Sequence, residues 1–279
     1  MKNSNGIFSL PKRMKLPRAF LIFFICLKVN SYCQILHTES FTVILDTTRT
    51  IQGTIMPDFN FQNLKNDLIE FENTADLSVR FSKSAITIAN KIELSKFGEE
   101  TIVSGGYLYS EFRKTIQRRL ALELYSQVHW SEARGMERKY AGGINVRWHI
   151  IHDNNIFGLY AGIGPFLEFE RWNYDGVSNN NLIPIDAKKI ENRDVKVGSY
   201  ISVKYFPLDQ LFIDLSVYYQ SRFDELTSAP RFASSSRVTY NFTRYFGLSL
   251  IYQSIYDPRP VVPIDKLYNH VTAGLTISF

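Results

Sequence analysis

The stretch His270-Val271-Thr272-Ala273-Gly274-Leu275-Thr276-Ile277-Ser278-Phe279 alternates apolar and small polar residues without a slip. Successive side chains of a strand point to opposite faces. Val271, Ala273, Leu275, Ile277 and Phe279 therefore share an apolar face, and His270, Thr272, Gly274, Thr276 and Ser278 a polar one. One face suits lipid and the other a wet lumen, the pattern of the last strand of an outer-membrane barrel. The edge of a soluble sandwich can show the same ten residues, so repetition along the chain has to decide.

Working outward from it, twelve strand candidates appear: Thr48 to Phe61, Leu68 to Phe81, Ala85 to Leu94, Thr101 to Arg113, Lys114 or beyond to Ser131, Met136 to Ile151, Ile156 to Trp172, Val195 to Phe206, Leu211 to Gln220, Phe232 to Phe242, Tyr245 to Tyr256 and Tyr268 to Phe279. An even count returns both ends of the barrel to the periplasm. The connections alternate as such a barrel requires, with tight inner turns at Ser82 to Ser84, Lys114 to Gln117, His152 to Asn155, Pro207 to Gln210 and Thr243-Arg244. The outer loops include Glu132 to Gly135, Asn173 to Asp194, Ser221 to Pro230 and Asp257 to Leu267.

Parity then assigns faces. The seventh candidate turns Phe157, Leu159, Ala161, Ile163, Pro165, Leu167 and Phe169 outward, opposite Gly158, Tyr160, Gly162, Gly164, Glu168 and Glu170. In the fifth, Leu120, Leu122, Leu124 and Val128 oppose Glu123, Tyr125, Gln127 and His129; in the sixth, Ile144, Val146, Trp148 and Ile150 oppose Asn145, Arg147 and His149. Tyr107, Leu108 and Tyr109 leave the fourth compatible with either phase. Asn73 and Asn90 fall on the outward phase, where an unpaired amide is costly. Either they satisfy each other across neighbouring strands or a β-bulge shifts the phase locally. Trp130, Tyr140, Trp148, Tyr219, Tyr240, Phe246 and Phe279 fall toward outward strand ends, as interfacial girdles do.

At the amino end, Lys12, Arg13, Lys15 and Arg18 precede the apolar run Ala19 to Leu27, and Ser31-Tyr32-Cys33 supplies a cleavage site. This reads as a signal peptide over residues 1–33, too short in its apolar part for the ~20 residues of a membrane helix. Met14 offers an alternative start, and Tyr32 is a poor residue before a lipidated cysteine. Residues 34–47 read as a periplasmic lead-in and 48–279 as the barrel domain. The signal segment holds six basic residues and no acidic ones, so its removal takes the formal charge from +5 to −1. The basic balance is thus no sign of a nucleic-acid partner. Both cysteines, Cys26 and Cys33, leave with the same segment, which leaves no thiol for a disulfide or a cysteine metal site.

Three segments resemble the bacterial family of salt-induced outer-membrane proteins, whose function is unknown. They are Phe71-Glu72-Asn73-Thr74-Ala75-Asp76, Ala133-Arg134-Gly135-Met136-Glu137-Arg138-Lys139-Tyr140-Ala141-Gly142-Gly143 and Gly158-Leu159-Tyr160-Ala161-Gly162. The resemblance covers roughly residues 48–279, with Met136 where the family usually shows Leu. It implies an outer-membrane barrel and brings no catalytic motif.

The inward set is strongly charged: Glu70, Glu72, Asp76, Arg80, Lys91, Glu93, Glu123, Arg147, Glu168, Glu170, Lys196, Lys204, Asp214 and Arg237. Such a lumen is either internally paired, closing the tube, or hydrated as a narrow pore. Glu168 and Glu170 lie side by side and call for a cation or a basic partner, for which Lys196 or Lys204 on the next strand is the expectation. His129 and His270 belong to the outer end and His149 to the periplasmic end, so no shared metal is expected; His37 and His152 lie off the wall without ligand spacing. A lipid hydrolase needs an outward serine beside a histidine. The outward serines Ser126, Ser199, Ser234, Ser236 and Ser254 have none two residues away. The loop 173–194, rich in Asn, Asp and Lys, reads as solvated, with partner or divalent-cation binding as the alternative.

The expectation is an all-β protein: a transmembrane up-and-down antiparallel barrel of about 12 strands, structural or a narrow passive channel, with an outer-membrane lipid hydrolase as the alternative. No cofactor and no metal are expected. The expected partners are membrane lipid and lipopolysaccharide, small ions or solutes, and the barrel-assembly machinery through the strand ending at Phe279.

Overall fold

The computed structural model describes residues 50–63, 67–153 and 156–279. The signal peptide and the lead-in lie outside the described residues. Twelve strands follow one another: β1 (Ile51–Asn63), β2 (Asp67–Phe81), β3 (Ser84–Phe97), β4 (Glu100–Gln117), β5 (Leu120–Ser131), β6 (Met136–Asp153), β7 (Phe157–Trp172), β8 (Ile190–Leu208), β9 (Leu211–Arg222), β10 (Arg231–Asn241), β11 (Phe246–Tyr256) and β12 (Leu267–Ser278). Each pairs antiparallel with its neighbours in sequence, and β1 meets β12 to close the barrel.

The period-two pattern places every face. Around the circumference, Leu124, Ile144, Leu167, Leu215, Leu248 and Leu275 are each 44 to 65% exposed, whereas Glu123, Glu168, Lys204 and Asp214 are 4% exposed or less. Apolar skin over a charged interior inverts the arrangement that water favours, and it is the arrangement of a membrane-spanning barrel. The phase of β4 is settled as well: Tyr107 and Tyr109 are buried inside and Leu108 faces out. Tyr109, Tyr125 and Phe166 pack with Ala89 and Ala141 against the inner wall.

Asn73 donates to Asn90 at 3.5 Å. The ladder between β2 and β3 runs from Leu68–Phe97 to Phe81–Ser84 without a register shift, so the two amides are diagonal neighbours and no bulge is involved. Of the expected girdle residues, Tyr140, Trp148, Tyr240, Phe246 and Phe279 are 42 to 46% exposed, while Trp130 and Tyr219 are half-buried.

Several boundaries shift by one to three residues, among them β3, which runs on to Phe97, and β6, which runs into the turn expected at His152 to Asn155, and two larger shifts are instructive. The inner turn placed at Lys114 to Gln117 is Arg118-Arg119, because β4 extends to Gln117 through an irregularity between Thr115 and Gln117. The loop expected to run to Asp194 ends before Ile190, because Ile190 and Glu191 already pair with Trp172 and Arg171 of β7. Polar side chains there disguised a strand that continues beyond the apolar belt.

Candidate functional site in the charged lumen

Of the sequence-selected residues, Asp76, Lys91, Glu123, Arg147, Glu168, Glu170, Lys196, Lys204, Asp214 and Arg237 are buried. Glu72, Arg80 and Glu93 are half-buried, and Glu70 is exposed, accepting a hydrogen bond from Asn60 at 2.8 Å. A buried charge needs a partner, and the barrel supplies partners in four groups.

Toward the loop end, Glu168 and Glu170 of β7 converge on cations from three other strands. Lys139 Nζ of β6 lies 2.5 Å from Glu168 and 3.0 Å from Glu170. Arg231 of β10 lies 3.4 Å from both and 2.8 Å from Asp257. Lys196 donates to Glu168. The expectation for Lys204 is corrected: it sits eight residues further down β8, opposite Asp214, and its Nζ is 2.6 Å from that carboxylate.

A second group spans β4, β5, β6 and β8. Glu123 accepts from Arg113 at 2.9 Å, from Arg147 at 3.3 Å and from the Tyr200 hydroxyl at 2.9 Å. Arg147 also covers the Tyr160 ring at 4.0 Å. Because Tyr200 stands three strands from Glu123 around the barrel, these bonds cut a chord across the interior.

In the third group, Lys91 of β3 contacts Glu72 at 3.0 Å, Glu93, and the ring nitrogens of His270 at 3.3 and 3.4 Å. Glu72, Glu93 and His270 bring their ligand-type atoms within 4.8 Å of one another. The Lys91 ammonium contacts all three and supplies the positive charge their carboxylates need.

Nearer the turn end, Asp76 accepts from Thr54 and faces Arg237 at 3.8 Å. The hydroxyls of Thr239, Ser249 and Thr276 form a ladder at 2.8 and 2.5 Å. Here a cavity of about 620 Å³ is lined by Arg237, Asp76, Phe206, Phe212, Phe242 and Phe279 among others. At the loop end a second cavity, about 310 Å³, is lined by Asp58, Glu70, Glu72, Glu93, His129 and His270 among others.

Loops fold over the upper mouth. Val177 of the loop after β7 and Val262 of the loop after β11 are buried against Met136 and Trp172. Arg134, from the 3₁₀ turn Glu132–Arg134, lies 4.1 Å over Tyr268 and 5.2 Å from Trp172. Gly135 makes this seating feasible: its φ is +73°, and a Cβ there would stand 2.5 Å from the Asn173 carbonyl. The loop expected to be solvated is mixed. Val177 turns inward with Tyr174 and Ile183 packed beside it, Leu182 and Ile185 stay exposed, and Asn173 and Asp175 bond each other at 2.6 Å on the surface. In the loop after β9, two hydrogen bonds from the Arg222 guanidinium, 3.1 and 3.0 Å, hold the Asp224 carboxyl below the ordinary carboxylate range.

Sequence reasoning missed Lys139, Arg231, Glu111 and Arg113. Lys139 shares the parity of Asn145 and Arg147, and Arg231 that of Arg237, so extending the alternation by a few residues finds them. Glu111 and Arg113 were hidden by the unsettled phase of β4. His149 meets Tyr160 edge-on at 5.1 Å, and His129 is buried inside. Outward Ser126 shares a hydrogen bond with Ser110 at 2.8 Å. His37 and the side chain of His152 lie outside the described residues.

No family model matches the chain, and no curated protein matches it. Among solved structures it is similar to the NanC porin, at 10% identity over 82% of this chain and 98% of that chain, with a TM-score of 0.43. It is also similar to the KdgM porin in complex with disordered oligogalacturonate, at 7% identity over 82% and 99%, TM-score 0.44. The toluene transporter TodX of Pseudomonas putida is a further similar structure, at 8% identity over 81% and 78%, TM-score 0.38.

Proposed function

We propose that the protein is a narrow passive channel of the bacterial outer membrane, carrying small ions or solutes through a charged lumen. The observation that carries this reading is the state of the interior. Charges that a sealed barrel has no need of are retained there, paired chord by chord, between cavities of about 620 and 310 Å³ at the two ends. Paired charges tolerate water and can exchange partners with a passing ion, whereas an apolar plug cannot.

In this reading the chain reaches the outer membrane through the signal peptide over residues 1–33. It contacts lipopolysaccharide with its upper skin and is recognised by the assembly machinery through the strand ending at Phe279. Kinship with the salt-induced outer-membrane proteins belongs to the same proposal. In support, the segments behind it hold demanding positions: Asn73 in the outward amide pair, Gly135 at positive φ, and Gly162 under the Tyr200 ring. A lipid hydrolase is less well supported, since His129, His149 and His270 all turn inward, away from the outward serines.

Planar-bilayer recording of the purified protein tests the channel. Small, steady, ohmic current steps are expected. A barrel that inserts, as judged by protease protection in vesicles, and stays electrically silent overturns the reading.

A further inference from the structure

The wall differs around its circumference. Eleven neighbouring strand pairs carry long ladders, but β1 and β12 pair only at Thr54–Ser278 and Ile55–Ile277. Below that, Gly53 and Phe279 exchange backbone hydrogen bonds of 3.2 and 3.1 Å. Above it, β1 continues to Asn63, paired with β2 alone, and β12 reaches back to Leu267, paired with β11 alone.

The cause is in the sequence. Hydrogen-bonding sides alternate along an antiparallel strand. Gly53 directs its backbone groups to β12 and Thr50 its carbonyl to Arg80 of β2, so the odd residues of β1 face the seam. Pro57 is the next in that series after Ile55 and has no N–H to give. Its missing donor falls on the β12 side, and the β2 ladder passes undisturbed through Pro57–Asn73. Beyond it, residues 57–63 are exposed on both faces, with Phe59 at 65% and Phe61 at 53%. Lumen contacts bypass this part of β1: Thr272 of β12 donates to Glu72 of β2 at 3.1 Å, and His270 meets Lys91 of β3.

Behind the unpaired stretch lies the 310 Å³ cavity, to which β1 contributes Asp58 and Asn60. The lining residues Asp58, Glu70, Glu72 and Glu93 give it four carboxylates against the one Lys91 ammonium that contacts Glu72 and Glu93, which leaves the cavity an excess of negative charge. His129 lines it too, 1% exposed, and its Nε2 has no hydrogen-bond partner. An unpartnered ring nitrogen in a cavity whose lining carboxylates outnumber the cation they contact suits a donor-rich cation. The lips at the bilayer are the apolar residues Phe59, Phe61 and Leu275.

We propose that the upper β1–β12 seam is a lateral portal between the lipid phase and this cavity, and that it admits an amphiphile with an apolar chain and an amine headgroup. The chain stays between the phenylalanines and the hydrocarbon. The ammonium reaches the carboxylates and His129, where a carboxylate headgroup is repelled. The proposal rests on the barrel spanning a bilayer and stands apart from whether the lumen conducts.

The test uses the full protein in phosphatidylcholine nanodiscs and dodecylamine bearing a diazirine in its chain, with the dodecanoic acid analogue as comparator. Photo-adducts of the amine are expected on the peptides carrying Phe59, Phe61 and Leu275, about tenfold above the acid, the ratio of one headgroup contact worth about 1.4 kcal/mol. Continuing the observed register places Phe59 opposite Ala273. With Cys26 and Cys33 changed to serine, Phe59→Cys with Ala273→Cys closes the seam on oxidation, and labelling there falls to that of the remaining wall and returns on reduction. Pro57→Val restores the missing donor and lowers labelling without thiol chemistry. Adducts spread evenly around the apolar belt and indifferent to both closures, or equal labelling by the acid, overturn the proposal. An electrically silent barrel that shows the expected labelling overturns only the channel.

Discussion

Lys204 Nζ lies 2.6 Å from Asp214 Oδ2 across the β8–β9 ladder, with both side chains no more than 2% exposed. Asp214 also accepts from Ser216 at 3.1 Å. Removing one partner strands the other charge, a loss of about 3 to 5 kcal/mol in comparable buried pairs. Asp214→Asn is therefore expected to lower the thermal unfolding midpoint in detergent sharply. Lys204→Met combined with Asp214→Leu recovers most of it. A single variant as stable as the parent contradicts the pairing.

Two glycines one strand apart separate close approach from mere smallness. A Cβ on Gly164 would stand 1.8 Å from the Ile144 carbonyl oxygen, whereas on Gly142 its nearest neighbour is 3.5 Å away. Gly164→Ala has to displace backbone and is expected to cost about 1 to 3 kcal/mol or more. Gly142→Ala is expected to change stability by less than about 0.5 kcal/mol. Equal unfolding midpoints for the two variants contradict the β6–β7 packing.

The cap at the loop end turns on Arg134, stacked on Tyr268 five strands away around the barrel. Arg134→Ala removes a stacking contact worth about 0.5 to 2 kcal/mol and loosens the loops over the mouth. In planar bilayers the variant is expected to pass larger current steps than the parent. Unchanged steps place the resistance elsewhere in the lumen.

Lys196 contacts Glu168 and stands 3.5 Å from Asp194, close to the 230 Å³ cavity that it helps line. Lys196→Gln leaves those carboxylates with less positive charge nearby, so cation selectivity is expected to rise. Under a potassium chloride gradient the reversal potential moves toward the potassium equilibrium value. Lys204→Gln shifts it in the same direction, in a barrel weakened by the stranded Asp214. A reversal potential indifferent to Lys196→Gln removes that residue from the conducting path.

The faces of the wall were legible because a strand embedded between lipid and water has no freedom of phase. Val271 to Phe279 and Phe157 to Phe169 each had to read as they do. The interior was harder to read. Which cation meets Glu170 depends on register and on chords across the barrel, and no local pattern reveals that Arg231 of β10 reaches β7. Strand ends above the apolar belt, such as Ile190 to Asp194, lose their alternation because both faces meet polar surroundings. The effect of Pro57 emerges only once its backbone side is known, for on the β2 side the same proline would have broken a different ladder.

The central claim is that one face of each strand touches hydrocarbon and the other a wet, charged lumen. The most direct measurement is a nitroxide scan along β7 from Phe157 to Trp172 in lipid vesicles, recording collision with oxygen and with a water-soluble nickel complex. Oxygen is expected to dominate at Leu159, Ile163 and Leu167. The nickel complex, or immobility, is expected to dominate at Gly158, Gly162 and Phe166, with a period of two throughout. Uniform accessibility to the nickel complex along the strand would contradict the account.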